Sequence, residues 1–276
     1  MASHIGPWHG RAMRFAIVAV MLIGCGPSKP EVDLQPPTDP EHVAQPKPRI
    51  ADAGAPPPAA PAAPIASTEA TRSAFASIYS GATWGTNDKG IGNSGTGSTL
   101  RATALYRTFL QQFLKDNHIA SVVDAGCGDW EFSHLLDWTG IDYKGFDIVD
   151  AVIAADKKLY TKPNVHFFGA NIVEKDLPPA DLLISKHVLQ HLPNGNVAKF
   201  LTQLPKYKHV LFVDGVDPVT LTAANTDIQP GDYRELDVTQ PPFSIAGVKP
   251  LTYWDGNHMH QVVYISPHGS TPLPPR

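Results

Sequence analysis

The spacing of apolar residues along the chain switches between two periods. Ile119, Val122 and Val123 form a short β-branched run that ends on Asp124 and enters the turn Ala125-Gly126-Cys127-Gly128. A run of that length, closed by glycines, predicts a buried parallel strand feeding a tight turn, with a helix expected to begin near Phe132. Before it, Leu100, Ala104, Leu105, Phe109, Phe113 and Leu114 recur at helical spacing up to Asp116, and Phe75, Ile78 and Tyr79 mark a shorter helix where order begins near Thr68.

Beyond the turn, strands are predicted at Tyr143 to Ile148, Val165 to Phe168, Ala180 to Ser185 and Lys208 to Asp214. Helices are predicted over Asp150 to Tyr160 and after Asn194, the expected cap of a helix with Val197, Phe200, Leu201 and Leu204 on one face. Strand and helix in alternation imply a parallel sheet covered on both faces. The end departs from this pattern, because Val248 to Trp254 and His260 to Ile265 flank Asp255-Gly256, the signal of an antiparallel hairpin.

The first 66 residues follow neither period. Arg11 and Arg14 precede an apolar run from Phe15 to Ile23, too short to span a bilayer and laid out like a signal peptide covering residues 1 to 24. The run ends Leu22-Ile23-Gly24-Cys25, which resembles a bacterial lipoprotein lipobox and implies lipidation of Cys25 and a membrane anchor. From Pro27 to Pro64 there are twelve prolines and few large apolar residues, so residues 25 to 66 are expected to be a disordered tether reaching on the order of 100 Å. Residues 67 to 267 form the expected folded domain and 268 to 276 a disordered tail.

Composition narrows the partners. The 276 residues are 42% hydrophobic with a net charge of -4, and the chain beyond its N-terminus has no run of basic residues, so nucleic acid is not an expected partner. The two cysteines, Cys25 and Cys127, lie in contexts too different for a structural disulfide. Oligomeric state is left open.

The glycine turn carries the first chemistry. A dinucleotide fingerprint needs a third glycine three residues after Gly128, and Glu131 stands there. Asp124, Gly126 and Gly128 instead resemble the first motif of class I S-adenosylmethionine-dependent methyltransferases, an Asp/Glu-x-Gly-x-Gly turn. Asp181 to Leu192 resembles the fourth motif of that family, and the terminal hairpin is the family's own ending. The segments Tyr79 to Gly85, Ser94 to Ser98 and Gly231 to Asp237 resemble an uncharacterised bacterial branch of it, over residues 72 to 266. The resemblance implies an α/β, Rossmann-like fold with a mostly parallel seven-stranded sheet, and S-adenosyl-L-methionine as cofactor.

By that resemblance the cofactor's amino-acid end rests on the bare main chain of Asp124, Gly126, Cys127 and Gly128, with Trp84 and the loop Gly90 to Ser98 as a lid. Asp147, 21 positions after Gly126, ends the second strand, where a carboxylate accepts both ribose hydroxyls. Ile148 lies beside it, and Asn171 with Ile172 follows the third strand where the family meets adenine. Ser185 and Lys186 reach the cleft where the methyl group would lie.

His187 is the candidate general base and Asp214, ending the fifth strand, the second choice. His187 and His191 share a helix face at four-residue spacing, but no third ligand is evident nearby, so no metal is expected and His191 is read as bonded to backbone. Tyr79, Asn225, Asp227, Tyr233 and Arg234 are candidate contacts to a methyl acceptor, either a small molecule or another unidentified group. The plain alternative for the loop is a solvated segment with an Arg234 to Asp237 pair.

S-adenosylmethionine is made in the cytoplasm, whereas a lipobox directs the domain to the envelope. Two other readings therefore stand beside methyl transfer. One is a non-catalytic envelope-binding module on the same scaffold. The other is a nicotinamide oxidoreductase, disfavoured by Glu131 and the hairpin. A spurious signal would leave the enzyme cytoplasmic.

Overall fold

A computed structural model describes residues 63–86 and 94–269, all within one of the chain's two units, Pro58–Arg276. The expected signal peptide, Cys25 and nearly all of the tether lie outside the described residues, as do 87–93 of the glycine-serine loop and the tail from 270.

Two helices precede the sheet. Helix α1 (Thr68–Ser80) starts at Ser67, whose hydroxyl accepts from the amide of Ala70, and buries Thr71, Phe75 and Tyr79. Helix α2 (Ala104–Asp116) buries Tyr106, Leu110, Phe113 and Leu114, the stripe its apolar spacing predicts.

The sheet elements then follow as β1 (Ser121–Ala125), β2 (Asp142–Asp147), α3 (Asp150–Leu159), β3 (Val165–Gly169), β4 (Ala180–Lys186), α4 (Asn194–Leu201), β5 (Tyr207–Gly215), β6 (Val248–Trp254) and β7 (Met259–Ile265). Their spatial order is β3-β2-β1-β4-β5-β7-β6. The first five strands are parallel, and β7 runs antiparallel to both β5 and β6. This is the Rossmann-like methyltransferase arrangement expected from the alternation of strand and helix and from the terminal hairpin.

Alternating side chains on each strand serve opposite faces of the sheet. Val123, Leu183, Val210 and Phe212 pack in one core with residues of α1 and α4, and Val122, Leu182, Leu211 and Val213 pack in the other with α2. The parallel strands are therefore buried on both faces, and their polar ends meet at one edge of the fold.

Three local expectations differ. No α-helix starts near Phe132; Ser133–Leu135 is a single 3₁₀ turn. The indoles of Trp130 and Trp138 are buried there and stack at 6.4 Å, and Trp138 Nε1 donates to the Ser133 carbonyl at 2.8 Å, so packing of large rings overrides helix continuation. Asn194 is the first residue of α4 and not its cap; its amide donates to Asp227 Oδ1 at 2.7 Å, an acid delivered from 33 positions away. The hairpin loop holds four residues, 255–258, because Asp255 Oδ1 accepts the amides of both Asn257 and His258.

Candidate functional site

The turn after β1 is built on two glycines of positive φ, +90° at Gly126 and +55° at Gly128. The amides of Gly126 and Cys127 both donate to the Phe146 carbonyl, which ties the turn to β2. Asp147, the last residue of β2, completes the tie: Oδ2 accepts from Gly128 N at 3.1 Å and Oδ1 from Val149 N at 2.9 Å. Burial outweighs those two amide bonds and pushes the Asp147 carboxyl up to about 6.

A cavity opens over these strand ends, lined among others by Asp124, Gly126, Cys127, Gly128, Asp147, Ile148, Asn171, Ile172, Lys186 and His187. Asp124 faces it from within β1, and Tyr143 donates to its Oδ2 at 2.6 Å; burial raises this carboxyl to about 7. Cys127 packs its thiol against Gly145, and burial with Asp147 nearby pushes that thiol well above its usual value.

Asn171 has commitments of its own. Its Oδ1 accepts from Val173 N at 3.0 Å and its Nδ2 donates to Thr68 Oγ1 at 3.0 Å, so it joins α1 to the end of β3. Ser185 is absent from the cavity wall; its hydroxyl donates to the Ala125 carbonyl and couples β4 to β1.

At the other end of the cavity, Lys186 Nζ donates to the Gly97 carbonyl at 2.9 Å and lies 3.1 Å from His187 Nδ1. Burial pulls Lys186 down to about 7. His187 sits at φ +56°, and burial followed by the Lys186 charge holds its imidazole well below its ordinary value. Its Nε2 is buried and has no hydrogen-bond partner among the described residues.

The described part of the glycine-serine loop closes over this end. Ser94 Oγ accepts the Asp129 amide at 2.9 Å and lies 3.0 Å from Tyr79 Oη. Trp84 fills the space between Phe75, Tyr79 and His191, its ring 4.5 Å from that of His191. Gly126 and Gly128 line the cavity, and side chains crowd the turn from one side. A Cβ on Gly128 would stand 2.4 Å from Ser94 Oγ, and one on Gly126 would stand 2.2 Å from Val188 Cγ2. The hydroxyl of Ser94 takes up the Asp129 amide, so the turn meets a side chain of the loop as well as the cavity.

The remaining predicted residues lie elsewhere. Asp214 does not line the cavity; its Oδ1 accepts from Gln190 N at 3.2 Å, and burial raises its carboxyl to about 7. Asn225 is buried and bridges the main chain of Asp237 and Pro241. Arg234 is buried too and donates to the carbonyls of Leu189 and Gln190 and to Asn194 Oδ1. It does not pair with Asp237, which bonds Lys249 at 2.7 Å. Asn225, Asp227 and Arg234 thus spend their polar atoms holding a strap against the fold, whereas Tyr233 is 48% exposed and Tyr79 lines the cavity. His191 Nδ1 lies 2.9 Å from the Asp232 carbonyl, a backbone bond as expected.

Sequence reasoning missed Phe75 and Val188 in the cavity wall and the imidazole of His260, whose ring lies 4.2 Å from that of His187. The spacing His258-x-His260 after Asp255 was the available signal.

Residues 123–207 match the family model of a methyltransferase domain. The match runs from β1 to the first residue of β5 and includes the glycine turn, Asp147, Asn171, Lys186 and His187. No curated protein matches the sequence. Among solved structures the chain is similar to the methyltransferase domain of bacterial CtHen1-C, at 19% identity over 41% of this chain and 66% of that one, with a TM-score of 0.38; it thus spans just under two thirds of that relative. It is similar to magnesium protoporphyrin IX methyltransferase from Synechocystis with bound SAM, at 15% identity over 59% and 78% of the two chains and a TM-score of 0.44. A third is the N-methyltransferase NodS from Bradyrhizobium japonicum in complex with S-adenosyl-L-homocysteine, at 11% identity over 59% and 86%, with a TM-score of 0.46.

Proposed function

We propose that residues 67–267 bind S-adenosyl-L-methionine over the carboxyl ends of the parallel strands and transfer its methyl group to an acceptor entering beside Lys186 and His187. The observation that carries this reading is Asp147, an acid in the cavity wall joined by hydrogen bond to the glycine turn. The methyltransferase-domain match over residues 123–207 supports it.

The residues at the adenosine end fit a nucleoside. Each Asp147 oxygen accepts one amide and keeps a second lone pair for a ribose hydroxyl. Ile148 and Ile172 supply apolar walls for a base. At the amino-acid end Ser94 and Val188 crowd the glycines, so full entry requires the Ser94–Ser98 segment to withdraw; the bonds of Ser94 Oγ to Tyr79 and Asp129 and of the Gly97 carbonyl to Lys186 act as the clasp.

When bound, the cofactor supplies a sulfonium-activated methyl group. The chain's own task is to align acceptor, methyl group and sulfur. Lys186 holds the lid through Gly97, and His187 presents an unpartnered Nε2 to take the proton of an acceptor that must lose one, a contribution of about 10² to 10⁴. Asp214 stands behind Gln190 as a positioning residue. Cys25 carries the lipid that anchors the domain to the envelope membrane through residues 25–66; among the described residues no helix is long and apolar enough to cross a membrane.

A second reading, a binding module without catalysis, is favoured by the crowding of Ser94 and Val188 against the glycine turn. Calorimetry of the full chain with S-adenosyl-L-methionine separates the two. Micromolar binding supports the enzyme, and silence at millimolar cofactor removes it.

A further inference from the structure

The β6–β7 hairpin holds Asp255, His258 and His260, and one donor atom from each lies within 4.8 Å of the others. Register sets His260 opposite Gly215 of β5 and Tyr253 of β6, which brings the group to the carboxyl end of β5, next to His187. Asp255 Oδ1 is fixed by two amides, so Oδ2 faces inward, 2.8 Å from His260 Nε2.

A hairpin lock would account for the bond between Asp255 and His260. It does not account for His258 converging on the same point. His260 is 3% exposed, so its ring is held in place beside Asp255.

We propose that Asp255, His258 and His260 form a binding site for a divalent transition-metal ion of the zinc class. Two imidazoles and one carboxylate are the donor set such an ion takes, and three protein ligands leave a fourth position for water or a substrate atom. Ligands about 2.0–2.2 Å from zinc stand roughly 3.3–3.5 Å apart in a tetrahedron. The pair at 2.8 Å opens slightly, and His258, at the surface, closes the longer gap and provides the entry path. The site shares no ligand with the residues assigned to the cofactor, so it stands whether or not the methyl-transfer reading does.

The test uses tag-free full-length protein stripped by chelator and titrated with zinc in competition with a chromogenic chelator. The expected result is one zinc per chain, with His258→Ala and Asp255→Asn each weakening binding by at least the roughly 10- to 100-fold that loss of a mere supporting partner costs. His258 is exposed, so its replacement leaves the fold intact, as circular dichroism would verify. His166→Ala, on the β3 edge, serves as a control that leaves affinity unchanged. Absence of stoichiometric zinc in the wild type, or equal affinity in wild type and His258→Ala, overturns the proposal.

Discussion

The amide of Gly128 donates to Oδ2 of Asp147 across 3.1 Å, so the acid of β2 and the turn of β1 form one rigid unit. Asp147→Asn keeps the size of the side chain and loses its charge. It should weaken S-adenosyl-L-methionine binding by roughly tenfold or more, since hydrogen bonds to a charged group are worth about 1.5–3 kcal/mol. Calorimetry on both proteins measures this, and equal affinities would remove Asp147 from the ribose role.

The glycine turn gives a prediction about packing. Gly126 combines φ +90° with a Cβ position 2.2 Å from Val188. Gly126→Ala should therefore cost at least about 2 kcal/mol, part from the backbone and part from the clash. Adding Val188→Ala relieves only the clash. Denaturant unfolding of the two single variants and the double should give a favourable coupling, with the backbone share left over.

Much of this architecture was legible in the residues. Val122 and Val123 announce a strand buried on both faces, and the interruption at Asp255-Gly256 announces the reversal at the end of the sheet. The place of Asp147 at the end of β2 was legible from its spacing of 21 positions after Gly126. What stayed hidden depended on chain segments meeting from afar. Asp227 reaches α4 across 33 positions, and Ser94 closes on Asp129 across 35; no local pattern encodes either meeting. The stacking of Trp130 on Trp138, which stands where a helix was expected, is likewise a tertiary contact that apolar spacing does not encode.

The strap between β5 and β6 should behave as structure. Asn225 bonds the main chain of Asp237 and Pro241 with both ends of its amide and is 3% exposed. Asn225→Ala should destabilise the fold by about 2–4 kcal/mol, whereas Tyr233→Ala, half exposed, should cost under about 1 kcal/mol. Thermal unfolding ranks the two, and the reverse order would return Asn225 to the list of acceptor contacts.

Asp156 on α3 gives a pH signature. Its Oδ2 is buried with no hydrogen-bond partner among the described residues, and burial first, with Asp129 and Asp147 adding, pushes the carboxyl from 3.8 up to about 8. Between those two values the native state keeps a proton that the unfolded chain has released. Unfolded protein then binds fewer protons than native, so this group's contribution to stability falls as pH rises from about 4 to about 8 and levels off above. Asp156→Asn has no proton to lose and escapes that slope. Denaturant unfolding at pH 5 and at pH 8 should show the variant gaining on the wild type by at least about 1 kcal/mol at the higher pH. A gap that stays constant between the two would mean that Asp156 is ionised in the folded protein and is stabilised by solvent that penetrates beside α3.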